Sequence, residues 1–209
     1  MTFVEQLHKK LVLISSFSDE ENEIGNFIFD LLVNNGFEVS KNIVDKGGFN
    51  IIAKLRKIKV FLTAHMDTVS PFLDYKETKT EIFGRGVCDT KGSIASMLTA
   101  GIEAKNNGLD NFGFIFTVGE EKDFRGVKKV MESKLQIPFV VVGEPTSLEI
   151  VNSHYGIAVF KLIVKGKAAH SSEPDKGINA IEILLNGLEK IKKIKFHPKT
   201  LVNIAKINN

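Results

Sequence analysis

Apolar and polar positions along the 209-residue chain switch between two periods. Over residues 3–14, Phe3, Val4, Leu7, Leu11 and Ile14 recur at helical spacing, which predicts a first amphipathic helix. Ser18 and Glu21 stand in capping-box spacing before a second stripe, Ile24, Phe27, Ile28, Leu31 and Leu32, that stops at Gly36. The period then shortens. Residues 37–44 and 49–55 read as strands joined by the turn residues Lys46, Gly47 and Gly48, a meander leading into a buried strand that begins at Val60. Next come a helix through Ile94, Met97, Leu98, Gly101 and Ile102, a near-continuous apolar strand at 112–118, and a helix at 126–135. A third buried strand at 139–142 and a last one at 150–154 follow. Alternation of apolar strands with helices predicts an α/β fold, a mostly parallel sheet with helices on both faces, whose ligands gather outside the carboxyl ends of the strands. Beyond residue 155 the character changes. A strand at 158–164, a loop at 166–172, a helix at 178–194 with Ile181, Leu184, Leu185 and Leu188 inward, and a strand at 201–207 predict the start of a smaller α+β domain. The expected boundary separates residues 1–155 from 156–209.

Composition narrows the function classes. With 43% hydrophobic and 25% charged residues the chain is globular and long enough for a sizeable core. A net charge of +3 from interspersed signs, without an arginine-rich or aromatic-interleaved patch, argues against nucleic acid as a partner. The single cysteine, Cys88, excludes an internal disulfide framework, fits a reducing compartment, and reads as a small buried apolar residue. No signal-like segment is found and no apolar run approaches the ~20 residues of a membrane span, so a soluble cytoplasmic protein without a membrane partner is expected.

The chemistry sits at strand ends. In VFLTAHMD, residues 60–67, an apolar strand delivers His65 and Asp67 to one face, a pattern suited to a metal-bound imidazole and its orienting carboxylate, or to a strand-end histidine in a polar loop. Asp89, in GRGVCDTKG, stands just before a helix, where it could also cap. Glu120 and Glu121 close the strand at 112–118, and Glu144 follows the strand at 139–142. Adjacent carboxylates at the end of a buried strand repel each other unless a cation or proton is present, or unless solvent takes them. One imidazole with several carboxylates makes a mixed N/O set suited to zinc, cobalt or manganese, and to a pair of ions that polarise a carbonyl for hydrolysis. Of the adjacent pair, one glutamate can ligate while the other acts as general base.

HMDTV, GRGVCDTKG, GEE, GEPTS and GKAAHSSEPDKGINAIE occur in this order and together resemble the di-zinc deacylase and carboxypeptidase superfamily. Within it the chain most resembles acetylornithine deacetylase, with succinyl-diaminopimelate desuccinylase as the sister branch. The resemblance implies that His65 and Glu144 bind one Zn2+, Glu121 binds the other, and Asp89 bridges. It also implies that Asp67 supports His65, that Glu120 is the general base working with a metal-bridged hydroxide, and that the Asp89–Thr90 peptide is cis. His170 resembles a lid-domain histidine that enters the partner subunit's site and donates to the carbonyl oxygen, which implies a homodimer. The implied substrate is an N-acyl amino acid such as N-acetylornithine; a succinylated substrate, a dipeptide or a carboxypeptidase substrate is the alternative. Glutamate at 144, where aminopeptidase branches tend to have aspartate, leans towards N-acyl amino acids or carboxypeptidase-like substrates. Superfamily members continue further and return a last histidine ligand. The remaining histidines, His8, His154, His170 and His197, do not match it, so the chain reads as truncated at its C-terminus and an inactive metal-binding fragment is the reading of another class.

Overall fold

Two compact units, Met1–Val151 and Asn152–Asn209, make up the computed structural model, which describes residues 1–44 and 48–208. The turn expected at Lys46 and Gly47 lies outside the described residues.

The first unit opens with α1 (Phe3–Leu13), whose Thr2 and Glu5 form a reciprocal capping box. Helix α2 (Asn22–Asn34) has no side-chain cap at all, which corrects the pairing of Ser18 with Glu21. Both side chains are engaged elsewhere, Ser18 by Asp67 and Glu21 by Gly119 and Arg125. Strands β1 (Glu38–Ile43), β2 (Phe49–Lys54) and β3 (Val60–His65) follow, then a small hairpin of β4 (Lys76–Glu77) and β5 (Ile82–Phe83). A turn at Val87–Gly92, non-helical at Asp89 and Thr90, runs into α3 (Ser93–Asn106), and β6 (Phe112–Thr117), α4 (Arg125–Glu132) and β7 (Val140–Val142) complete the unit.

The sheet order is β1-β2-β6-β3-β7. Strands β6, β3 and β7 run parallel, whereas β1–β2 and β2–β6 are antiparallel, so the sheet is mixed with a parallel core. The expected meander fails at one step, because β6 inserts between β2 and β3. Its residues are buried throughout, and a strand apolar on both faces is most stable at the centre of a covered sheet. Phe114 and Phe116 point with Ile51 and Ala53 into a core shared with Leu11, Ile24, Ile28, Leu32, Ile94 and Leu98 of the first three helices. On the opposite face Ile52, Phe61 and Ile115 pack with Val130 of α4. Gly101 lets α3 approach: a Cβ there would lie 2.2 Å from Cζ of Phe114.

Strand β7 departs from the reading of a buried strand, since Val140, Val141 and Val142 are 44 to 59% exposed. It lies at one edge of the sheet, with β3 as its neighbour. Residues 150–154 form no strand.

The second unit contains a short 3-10 turn at Pro174–Lys176 and α5 (Ala180–Lys192), capped by Asn179, whose side chain accepts from the Ile181 and Glu182 amides. The strands expected at 158–164 and 201–207 do not form. Ile157, Val159 and Phe160 are exposed, and an apolar segment without a strand to pair with has no ladder to hold it extended. The inward stripe of α5 is also corrected: Leu184 and Leu188 are half-buried, while Ile181 and Leu185 are exposed. Among the described residues no helix is long and apolar enough to cross a membrane.

Candidate metal centre

Parallel strands that end side by side deliver their following residues to one place. His65 is the last residue of β3 and pairs in register with Thr117, the last of β6, so the turn after β6 carries Glu120 and Glu121 beside it. On the other side of β3, Thr63 pairs with Val142 and accepts from the Gly143 amide, which sets Glu144 at the same end of the sheet. Asp89 arrives from the Val87–Gly92 turn. Three bonds hold that turn: His8 Nε2 donates to the Val87 carbonyl (2.9 Å), Thr90 Oγ1 to the His65 carbonyl (3.2 Å), and Lys91 Nζ to the Ile14 carbonyl (2.7 Å). Gly86 makes the approach possible, for its φ is +77° and a Cβ would sit 2.8 Å from Thr68 Cγ2. The Asp89–Thr90 peptide is cis, as the resemblance implies.

Ligand atoms of His65, Asp89 and Glu121 all lie within 4.8 Å of one another. Ligand atoms on one tetrahedral zinc ion stand about 3.3 Å apart, so this set would hold a divalent cation once the side chains closed in by up to about 1.5 Å. The Glu144 carboxylate is outside that group but close enough for its charge to act on His65. Glu120 is half-buried next to the three, and its amide donates to Asp67 Oδ1 (3.0 Å). His170 lies in the second unit, exposed, with Nδ1 2.8 Å from Ser172 Oγ. Cys88 is exposed, which corrects its reading as a buried residue; it lines an apolar cleft of about 660 Å³ with Phe72, Leu73, Ile82, Phe83 and Val87.

The imidazole of His65, only 3% exposed, is held at both nitrogens. Its Nδ1 is 2.9 Å from the Asp67 carbonyl and 3.5 Å from the Asp67 carboxylate, so the carbonyl is the direct acceptor and that nitrogen carries a proton. Its Nε2 faces Asp89 Oδ1 at 2.9 Å. Burial disfavours the imidazolium, but the Asp67 hydrogen bond and charge, with Glu144 and Asp89, outweigh it and push the group up to about 9. Burial raises the carboxyls of Glu120, Glu121 and Glu144, and the neighbouring carboxylates raise them further. For Asp67 burial is overcome by the adjacent His65 imidazole and its charge and by hydrogen bonds from Ser18 and the Glu120 amide, which hold it below the usual carboxylate range. A cation bound among these groups would displace the His65 proton and relieve the repulsion among the carboxylates.

Reasoning from sequence placed Asp67 behind the imidazole, and the structure adds a larger duty. Its carboxylate accepts from Ser18 Oγ (2.7 Å) and from the amides of Glu120 and Glu121 (3.0 Å each). Ser18, Glu21, Lys91 and Arg125 support the site and were not singled out for it. Glu21 and Arg125 are 104 residues apart, and no local spacing announces a pair of that separation.

Comparison with known proteins extends the geometry. A family profile described as Peptidase family M20/M25/M40 matches residues 61–205. A protein of Aspergillus flavus named probable carboxypeptidase is 35% identical over 91% of this chain and 52% of its own length. A peptidase M20 domain-containing protein of Schizosaccharomyces pombe is 35% identical over 97% of this chain and 53% of its own. The chain therefore spans about half the length of the curated relatives it matches. The crystal structure of a tripeptidase from Staphylococcus aureus superposes with a TM-score of 0.64 at 20% identity, covering 90% of this chain and 56% of that one, which extends the likeness to the fold.

Proposed function

This chain belongs to peptidase family M20/M25/M40, and on that premise we propose that it is a metal-dependent hydrolase of carboxypeptidase or dipeptidase type acting on a small substrate. The observation that carries the reading is the convergence of His65, Asp89 and Glu121 within 4.8 Å at the ends of parallel strands. We assign His65 and Glu144 to one Zn2+, Glu121 to a second, and Asp89 to both; the same donors accept Co2+ or Mn2+. Bound there, the cations supply a polarised carbonyl and an acidified water at neutral pH.

The protein's own groups do the remaining work. Glu120 stands free of the three-member ligand group, and its raised carboxyl lies closer to the working range of a general base, able to take a proton from water and return it to the leaving nitrogen. Asp67 fixes the backbone of Glu120 and Glu121 through their amides, and its carbonyl fixes the tautomer of His65. His170 is assigned to the carbonyl oxygen of the substrate in a homodimeric partner's site.

Names of the relatives support a peptide substrate over an N-acyl amino acid. Deacylation of a substrate such as N-acetylornithine is the second reading, supported by the glutamate at 144. A panel of dipeptides, their C-terminally amidated counterparts, N-acetylornithine and an N-succinyl amino acid, assayed with Zn2+ or Co2+, separates the two. Cleavage of the free peptides, lost on amidation, is expected; acetate release exceeding peptide cleavage overturns the peptidase assignment.

A further inference from the structure

Four consecutive backbone amides, those of Val118, Gly119, Glu120 and Glu121, donate to three side chains that reach them from behind. Asn50 Oδ1 accepts from Val118 (3.1 Å), Glu21 Oε1 from Gly119 (3.0 Å), and the two oxygens of Asp67 from Glu120 and Glu121 (3.0 Å each). Successive N–H groups can form an anion site, and here the protein's own side chains, two carboxylates and the Asn50 carboxamide, accept from all four.

Asn50 and Asp67 belong to the sheet and its extension, but Glu21 comes from the segment that joins α1 to α2. Its side chain is 1% exposed, and Arg125 Nη2 holds it through both oxygens at 2.9 and 3.2 Å. The other arm of Arg125, Nη1, contacts Asp19 Oδ1 at 2.8 Å. Lys122, one residue after Glu121, pairs with Asp19 Oδ2 at 2.5 Å. The joint is thus tied to the acidic turn on both sides, and Ser18 adds its bond to Asp67. A buried carboxylate with one charged partner is expensive to maintain, and a structural cap does not require it.

We propose that Glu21, held by Arg125, is a positioning residue for the Glu120–Glu121 turn: by fixing the Gly119 amide it sets where the base and the neighbouring metal ligand stand. This rests on the metal reading above. It makes the connection between α1 and α2, which carries no ligand, a determinant of metal binding.

The test uses Co2+ in the full chain, followed by its visible absorption bands, together with hydrogen exchange at the Gly119 amide. In Glu21→Ala the Gly119 amide is expected to exchange at least about tenfold faster and Co2+ affinity to fall about 10-fold or more, with altered bands. Glu21→Gln keeps an acceptor for Gly119 but turns an amide towards Arg125, so a loss between about two- and tenfold is expected. A folded Glu21→Ala with wild-type bands and affinity overturns the inference. Should that variant fail to fold, Glu21→Gln decides, and wild-type bands with wild-type Co2+ affinity overturn the inference. A wild-type chain that develops no cobalt bands overturns the metal reading and this inference with it, whereas a wild-type chain that binds beside variants that bind identically removes this inference alone.

Discussion

Replacing Asp67 by asparagine removes one acceptor oxygen and adds an amide donor at almost constant volume. In the native site Oδ1 takes the Glu120 amide, while Oδ2 takes the Glu121 amide and the Ser18 hydroxyl. Whichever way the new amide turns, its NH2 meets a backbone N–H where an oxygen had been 3.0 Å away. Hydrogen bonds to a charged group contribute about 1.5–3 kcal/mol each, and a buried donor left unsatisfied costs a similar amount. Against this, removing the charge relieves repulsion with Glu120 and Glu121, but those carboxylates are partly solvated, and at an effective dielectric near ~20 the relief is smaller than the bonds lost. His65 also loses a neighbour that favours its charged form. The net expectation is a destabilisation of about 3 kcal/mol, and a loss of metal affinity of about 10- to 100-fold because the carboxylates of the turn are no longer held in place. Urea unfolding of the metal-free chain and Co2+ titration of the folded chain read the two effects separately. An Asp67→Asn chain with unchanged unfolding midpoint and unchanged cobalt affinity would refute the reasoning, since the carboxylate would then be a bystander.

Glu120→Gln is expected to keep metal binding and to lower kcat by about 10²- to 10⁴-fold; turnover within a few-fold of wild type removes Glu120 as the base. Between pH 6.5 and 9 the folded metal-free chain retains a proton on His65 that the unfolded chain has released, so stability present below pH 6.5 falls as pH rises. Burial holds Lys91 down to about 8, which gives the opposite slope above that pH, so the decline is read between pH 6.5 and 8 and is on the order of 1–2 kcal/mol. His65→Asn flattens it, and a wild-type profile already flat over this window contradicts the charge assignment. Gly101→Ala brings a Cβ to 2.2 Å from Phe114, a ring with no exposed surface, and lowers stability by about 1–3 kcal/mol in thermal melts; an unchanged midpoint means that α3 and β6 are less closely packed than described.

Much of the fold was legible because burial writes a strong pattern. The stripe Ile24, Ile28, Leu32 and the run Phe112 to Thr117 announce a covered helix face and a strand buried on both sides, and both form. What failed was pairing and environment. Nothing in the run 49–54 states that its neighbour is β6 and not β3, since strand order is decided by which strand buries both faces best. Val140 to Val142 has the composition of a central strand yet lies at an edge, because apolar residues report what a strand could bury and not what covers it.

The site divides along the same line. The residues proposed to carry the chemistry, His65, Asp89, Glu120, Glu121 and Glu144, stand out because a charged or imidazole group at the end of an apolar strand or in a glycine-rich loop is costly unless it has a use. Residues that hold the chemistry in place do not stand out. Ser18 and Glu21 have the spacing of a helix cap, and Arg125 follows a turn like any surface arginine, yet Glu21 accepts from the Gly119 amide, Arg125 holds Glu21, and Ser18 donates to the Asp67 carboxylate that takes the next two amides. The groups held at the end of these chains of contacts are backbone donors, which every residue possesses, so the sequence at 118–121 carries no mark of being held. A positioning network that works through main-chain amides is therefore visible only once the fold brings the distant carboxylates to them, and a reading confined to motifs recovers ligands more readily than the groups that aim them.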